Sequence, residues 1–122
     1  MVSIEKSNSI FFSGMNDSKL PIVISHGEGR ADLSEKEYMN LYKNNQVCIN
    51  YIGNEGLISN SYPFNPNGSF KGLAGVSSST GNVTLMMPHP ERLIDIKQFP
   101  LCSNEIKSPW SKFFYNARMH LK

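Results

Sequence analysis

The residues best placed to do chemistry are Pro88-His89-Pro90-Glu91. On an extended backbone, residues two apart point to the same side. His89 and Glu91 can then lie together, and the prolines on either side of His89 stiffen the backbone that holds them. A carboxylate against an imidazole fixes its tautomer and stabilises its protonated form. That is the base-and-orienter half of a nucleophilic triad. On spacing alone the plainer reading is a surface polar pair at a strand end, since a His and a Glu two apart arise often by chance.

A second polar segment is His26-Gly27-Glu28-Gly29-Arg30. Two glycines in three positions let the backbone turn sharply or let a ligand approach it closely. His26 and His89 with Glu28 or Glu91 are also metal-ligand types. The pairs are short-range in sequence, however, with no H-x-x-x-H or H-E-x-x-H helix, and no metal is expected. His120 reads as an exposed side chain near a helix C-terminus, where positive charge is favoured. Cys48 and Cys102 are the only cysteines, and they form no C-x-x-C pair. That argues against a metal or disulfide framework and for two reduced thiols in a cytosolic protein.

The elements that must position these residues follow from patterning. Pro21 to Ser25 (PIVIS) is a short, nearly continuous apolar run, expected as a strand buried on both faces. Ser34 to Asn44 reads as a helix: Ser34 and Glu37 form a capping box, Leu33 and Tyr38 a hydrophobic staple, and Tyr38, Leu41 and Tyr42 an apolar stripe. Gln46 to Ile52 alternates Val47, Ile49 and Tyr51 and reads as a strand. Asn60 to Lys71 is dense in Asn, Pro, Gly and Ser and reads as a loop. Leu73 to Met87 reads as a hairpin turning near Thr80-Gly81-Asn82, with Pro88 ending the sheet. A last helix is expected from Ser108, with serine as N-cap and Pro109 in the first helical position. Trp110, Phe113, Phe114, Ala117 and Leu121 would form its apolar face.

A chain of 122 residues fits one small domain with a thin core. Its net charge of +2 and lack of any Lys/Arg run argue against a nucleic-acid partner. No apolar run approaches a membrane span, and Met1 to Asn8 do not read as a signal peptide.

HGEGR at 26–30, SYPFNPNGS at 61–69, MMPHPER at 86–92 and SPWSKFFYNAR at 108–118 together resemble the C-terminal end of the phosphoribosylformylglycinamidine synthase family. The likeness runs from about Ser9 to Lys122. MMPHPER followed by SPW and F-x-NAR is specific to that family, whereas H-P-E belongs to class I glutamine amidotransferases generally. The resemblance implies an α/β fold: a class I glutamine amidotransferase (flavodoxin-like) sandwich, here incomplete, with residues 1–122 as its C-terminal half. It implies a Cys-His-Glu triad in which His89 is the base and Glu91 its orienter, acting on glutamine. It places the 26–30 turn on the glutamine side, with His26, Gly27, Glu28 and Gly29 as substrate-binding residues, though a purely structural turn fits as well. The loop at 65–69 would lie near the site's mouth or at a domain interface, or be a plain turn cluster.

The resemblance also marks what these residues lack. The family's nucleophile is a glycine-flanked cysteine upstream of the HGEGR segment, yet none of the 25 residues before His26 is cysteine. Cys48 and Cys102 both lie downstream of that segment, and neither matches. The family is an ATP-dependent carbon–nitrogen ligase with glutamine as amido donor. ATP and magnesium would belong to its separate synthetase part, so no cofactor is expected in this chain. The expected partners are glutamine and the missing N-terminal part of the enzyme, in the cytoplasm, with self-association of the isolated chain. A catalytically silent binding module derived from the same domain is the alternative.

Overall fold

The computed structural model describes residues 1–25, 27, 29–99 and 107–122. It is a mixed α/β structure, consistent with part of a glutamine amidotransferase-like α/β fold. Five strands, β1 (Val2–Ile4), β2 (Lys19–Leu20), β3 (Val47–Tyr51), β4 (Leu73–Ser77) and β5 (Thr84–Met86), form one sheet in the order β2-β1-β3-β4-β5. Every pairing is antiparallel. Two α-helices, α1 (Glu35–Lys43) and α2 (Ser111–His120), and four short 3-10 turns complete the described elements.

β3 is central, and all five of its residues are buried. The simple alternation expected from sequence is broken by register shifts against β4 between Val47 and Ile49 and between Ile49 and Asn50. An extra residue of this kind re-aims side chains, so consecutive Cys48 and Ile49 both join the larger core cluster, while Val47 joins the smaller. The larger cluster centres on Trp110, Tyr51, Phe12 and Phe113. The smaller packs Tyr38 of α1 against Val47 and Leu73, with Leu33 and Phe70 alongside.

α1 forms where its start signals place it. Ser34 Oγ accepts from the Glu37 N–H and the Glu37 side chain accepts from the Ser34 N–H, completing the capping box. The hairpin also forms as expected, with Val76 opposite Leu85. Its turn requires Gly81: φ is +78° there, and a Cβ would collide with the Asn8 backbone carbonyl.

Three expectations need correction. Residues 21–25 are not a strand buried on both faces. β2 ends at Leu20, Pro21 to Val23 are half-buried, and Ile24 and Ser25 are exposed. Proline has no N–H to give a ladder, and the Pro21 carbonyl is taken by the Trp110 indole N–H at 2.8 Å. The second helix begins at Ser111, entered through a turn in which Lys112 N–H bonds Pro109 O and Phe113 N–H bonds Trp110 O. Ser108 keeps a capping role, its Oγ accepting from the Trp110 N–H at 3.3 Å. Finally, the apolar face of α2 is covered only at its start. Trp110 and Phe113 are buried, but Phe114 is 37% and Leu121 86% exposed. The helix packs chiefly on the turn at Ile10–Phe12, which is too short to reach its far end.

Candidate functional site

His89 follows directly on the chain leaving β5. Its backbone N–H donates to Val23 O at 2.8 Å, forming an isolated antiparallel bridge between the two residues. Its carbonyl accepts from Arg92 N–H at 3.3 Å, opening a 3-10 turn over Pro90–Leu93. Pro90 and Leu93 are buried beneath that turn, and Ser108 Oγ, also buried, donates to the Leu93 carbonyl. The backbone that carries both polar side chains is thus held at three points.

On this frame His89 Nδ1 lies 2.7 Å from Glu91 Oε1. The two side chains meet as expected, but through a helical turn and not through the alternation of an extended strand. Removal of Glu91 from water favours its neutral form. The bond from its own backbone N–H, the hydrogen bond and charge of His89, and the charge of Arg92 outweigh that and hold the carboxyl below its usual range. It is therefore ionised at neutral pH and can only accept, so Nδ1 carries the proton. In the neutral ring the free lone pair then sits on Nε2, ready to take a proton. Both side chains remain partly open to solvent, at 31% and 51% exposure, so a reacting partner can reach them.

The second segment approaches the same region. His26 and Glu28 lie outside the described residues, while Gly27 is exposed and Gly29 half-buried. Gly29, Arg30 and Ala31 form one wall of a groove of about 260 Å³, with residues 73–76 of β4 and 85–87 around the strand end opposite. Met87, at the groove's far side, is two residues before His89. The loop at 65–69 closes the arrangement. Asn67 Nδ2 donates to the Gly29 carbonyl and to Met87 Sδ, and Ala31 N–H donates to Ser69 Oγ at 2.9 Å. Nothing in the sequence separates Asn67 from the other turn-forming residues around it, because the partners that give it a role are 38 and 20 positions away.

Cys48 is unsuited to serve as the nucleophile. It is fully buried in β3, and burial pushes its thiol up despite the opposing hydroxyls of Ser7, Ser77 and Ser9, which leaves an inert thiol. Cys102 lies outside the described residues. Among the described residues, no group of three or more His, Cys, Asp or Glu side chains is placed to hold a metal ion. No helix among them is long and apolar enough to cross a membrane.

A family model of the CobB/CobQ-like glutamine amidotransferase domain matches residues 1–121. The chain belongs to this family of glutamine amidotransferase domains, whose substrate is glutamine.

Proposed function

We propose that this chain supplies the base and the orienting carboxylate of a Cys-His-Glu glutaminase site, as the C-terminal half of the amidotransferase domain of phosphoribosylformylglycinamidine synthase. The observation that carries the reading is the His89–Glu91 hydrogen bond of 2.7 Å inside a chain of amidotransferase family. The purine assignment rests on the MMPHPER and SPW…F-x-NAR segments. The reacting thiol comes from the nucleophile-bearing half, outside these residues.

In this mechanism His89 Nε2 takes the proton of the cysteine thiol, and the thiolate attacks the side-chain amide carbon of glutamine. Glu91 stabilises the imidazolium that forms. His89 then gives the proton to the departing nitrogen, leaving a glutamyl thioester and free ammonia. Water, activated by the same imidazole, hydrolyses the thioester to glutamate and restores the thiol. The glycine segment contributes the N–H groups of Gly27 and Gly29 to the substrate or to the developing oxyanion. The ammonia would pass to the separate synthetase part, where bound ATP and magnesium would supply the activation that amidine formation from formylglycinamide ribonucleotide requires. The setting is cytoplasmic.

The test is complementation. The 122-residue chain alone is expected to release no ammonia from saturating glutamine. Adding the nucleophile-bearing half of the domain is expected to restore release, and His89→Ala to lower it by orders of magnitude. Ammonia release by the chain alone, lost in Cys48→Ser or Cys102→Ser, would overturn the proposal, as would full activity of the His89→Ala complex.

A further inference from the structure

We propose that Asn67 is a positioning residue for glutamine, setting the distance between the glycine segment and the strand end that carries His89. The inference rests on the function proposed above and adds a residue to it.

The geometry is a closed network. One amide side chain reaches both walls of the groove: Asn67 Nδ2 donates to the Gly29 carbonyl on one side and to Met87 Sδ, at 3.2 Å, on the other. Its Oδ1 accepts from Ser69 N–H at 3.2 Å and from Ser69 Oγ at 2.9 Å. Ser69 Oγ in turn accepts from Ala31 N–H at 2.9 Å. Both N–H donors and the carbonyl of the amide are therefore occupied, and the side chain is fixed in one orientation. Gly68, at φ +70°, lets the backbone fold back so that Asn67 and Ser69 face the same segment.

The supporting turn has hydrogen bonds of its own. Asn65, 1% exposed, donates to Ser59 O at 3.2 Å and to Ser69 O at 2.8 Å. Its Oδ1 accepts from Ser69 N–H at 3.1 Å. Asn65 thus shapes the loop, while Asn67 projects from it to Gly29 and Met87. A fixed span between two walls is what a small polar substrate needs if its amide is to lie against backbone N–H groups and its carbon within reach of the triad. An error of an ångström there costs binding or alignment.

Asn67→Asp separates positioning from folding. The substituted side chain keeps an oxygen for Ser69 but presents a second acceptor to the Gly29 carbonyl and Met87 sulfur, so the strut is lost and the turn kept. In the complex with the nucleophile-bearing half, KM for glutamine is expected to rise about tenfold, because the glycine segment loses its link to the strand end. The expected kcat stays within about twofold of the parent, and thermal melting of the complex falls by no more than a few degrees, about the scale of one lost hydrogen bond. Asn65→Ala is the structural contrast, expected to lower melting and to reduce kcat as well. An unchanged KM in Asn67→Asp, or parallel loss of kcat and melting temperature, overturns the inference and leaves the function intact. An inactive parent complex removes the function, and the inference with it.

Discussion

His89 and Glu91 hydrogen-bond across 2.7 Å from a single 3-10 turn whose far end, Leu93, is tied by its carbonyl to the buried hydroxyl of Ser108. The pair that would do the chemistry is therefore anchored to the entrance of the last helix, although Ser108 lies 15 positions after Leu93. The residue that follows MMPHPER and the first residue of SPW thus meet in one hydrogen bond.

The first prediction concerns the unequal roles of the pair. In a complex with the nucleophile-bearing half, His89→Ala removes the proton acceptor and should lower turnover by about 10²–10⁴-fold or more. Glu91→Gln leaves the imidazole but removes the charge that stabilises its protonated form and fixes its tautomer, so it should cost less. Steady-state ammonia release by the two variants is the check. Equal or inverted effects would show the roles misassigned.

Glu91 also makes the pair sensitive to acid. Its folded value lies below the ordinary 4.5. A depressed carboxyl contributes stability that is complete above the unfolded value and disappears as the pH falls through the folded one. The window is therefore on the acid side of 4.5. Because the pair is partly exposed, the contribution should stay below about 1 kcal/mol. Denaturant titrations of the parent chain and Glu91→Gln, at neutral pH and in acid, should differ at neutral pH and converge in acid. A difference that grew in acid would contradict the sign.

Ser108→Ala removes the donor to Leu93 O and the acceptor for the Trp110 N–H. Leaving such groups unpaired in the interior should cost about 1–3 kcal/mol. The loss should appear in hydrogen exchange as faster exchange at the Arg92 amide, which bonds His89 O, as well as in α2. Faster exchange confined to α2 would show that the helix entrance does not brace the turn.

Much of this was legible in the sequence where the determinants are local. The capping box of α1, the hairpin with its glycine turn and the meeting of His89 with Glu91 depend on residues within a few positions of one another. What was not legible depends on distant partners. PIVIS has the composition of a buried strand, but Pro21 offers no N–H and its carbonyl goes to Trp110, 89 positions away. The α2 stripe predicts burial of Leu121, yet exposure is decided by the length of the turn at Ile10–Phe12 against which the helix packs. Asn67 reads as turn composition until Gly29 and Met87 are seen on either side of it.

The isolated chain should self-associate, for reasons that the structure relocates. The sequence suggests that an unsatisfied PIVIS strand would drive association, but residues 21–25 are not in the sheet. The exposed surface lies elsewhere. β5 is an edge of the described sheet, and Leu85 on it is 71% exposed, with Val83 just before it at 65%. An edge strand bearing apolar side chains offers both unpaired backbone groups and a surface to bury. A second apolar surface lies at the end of α2, where Met119 is 45% and Leu121 86% exposed. The edge should dominate, because backbone pairing adds directed hydrogen bonds to apolar burial and the helix end offers burial alone. Leu85→Lys places a charge on that edge, a device that natural sheets use against pairing. Leu85 belongs to neither core cluster and is mostly exposed, so folding should survive. Sedimentation velocity over a range of concentrations should show the parent chain above monomer size and Leu85→Lys shifted toward monomer, while Leu121→Lys changes little. A strictly monomeric parent would show that the exposed edge is tolerated in solution. A shift seen only with Leu121→Lys would move the contact to the helix.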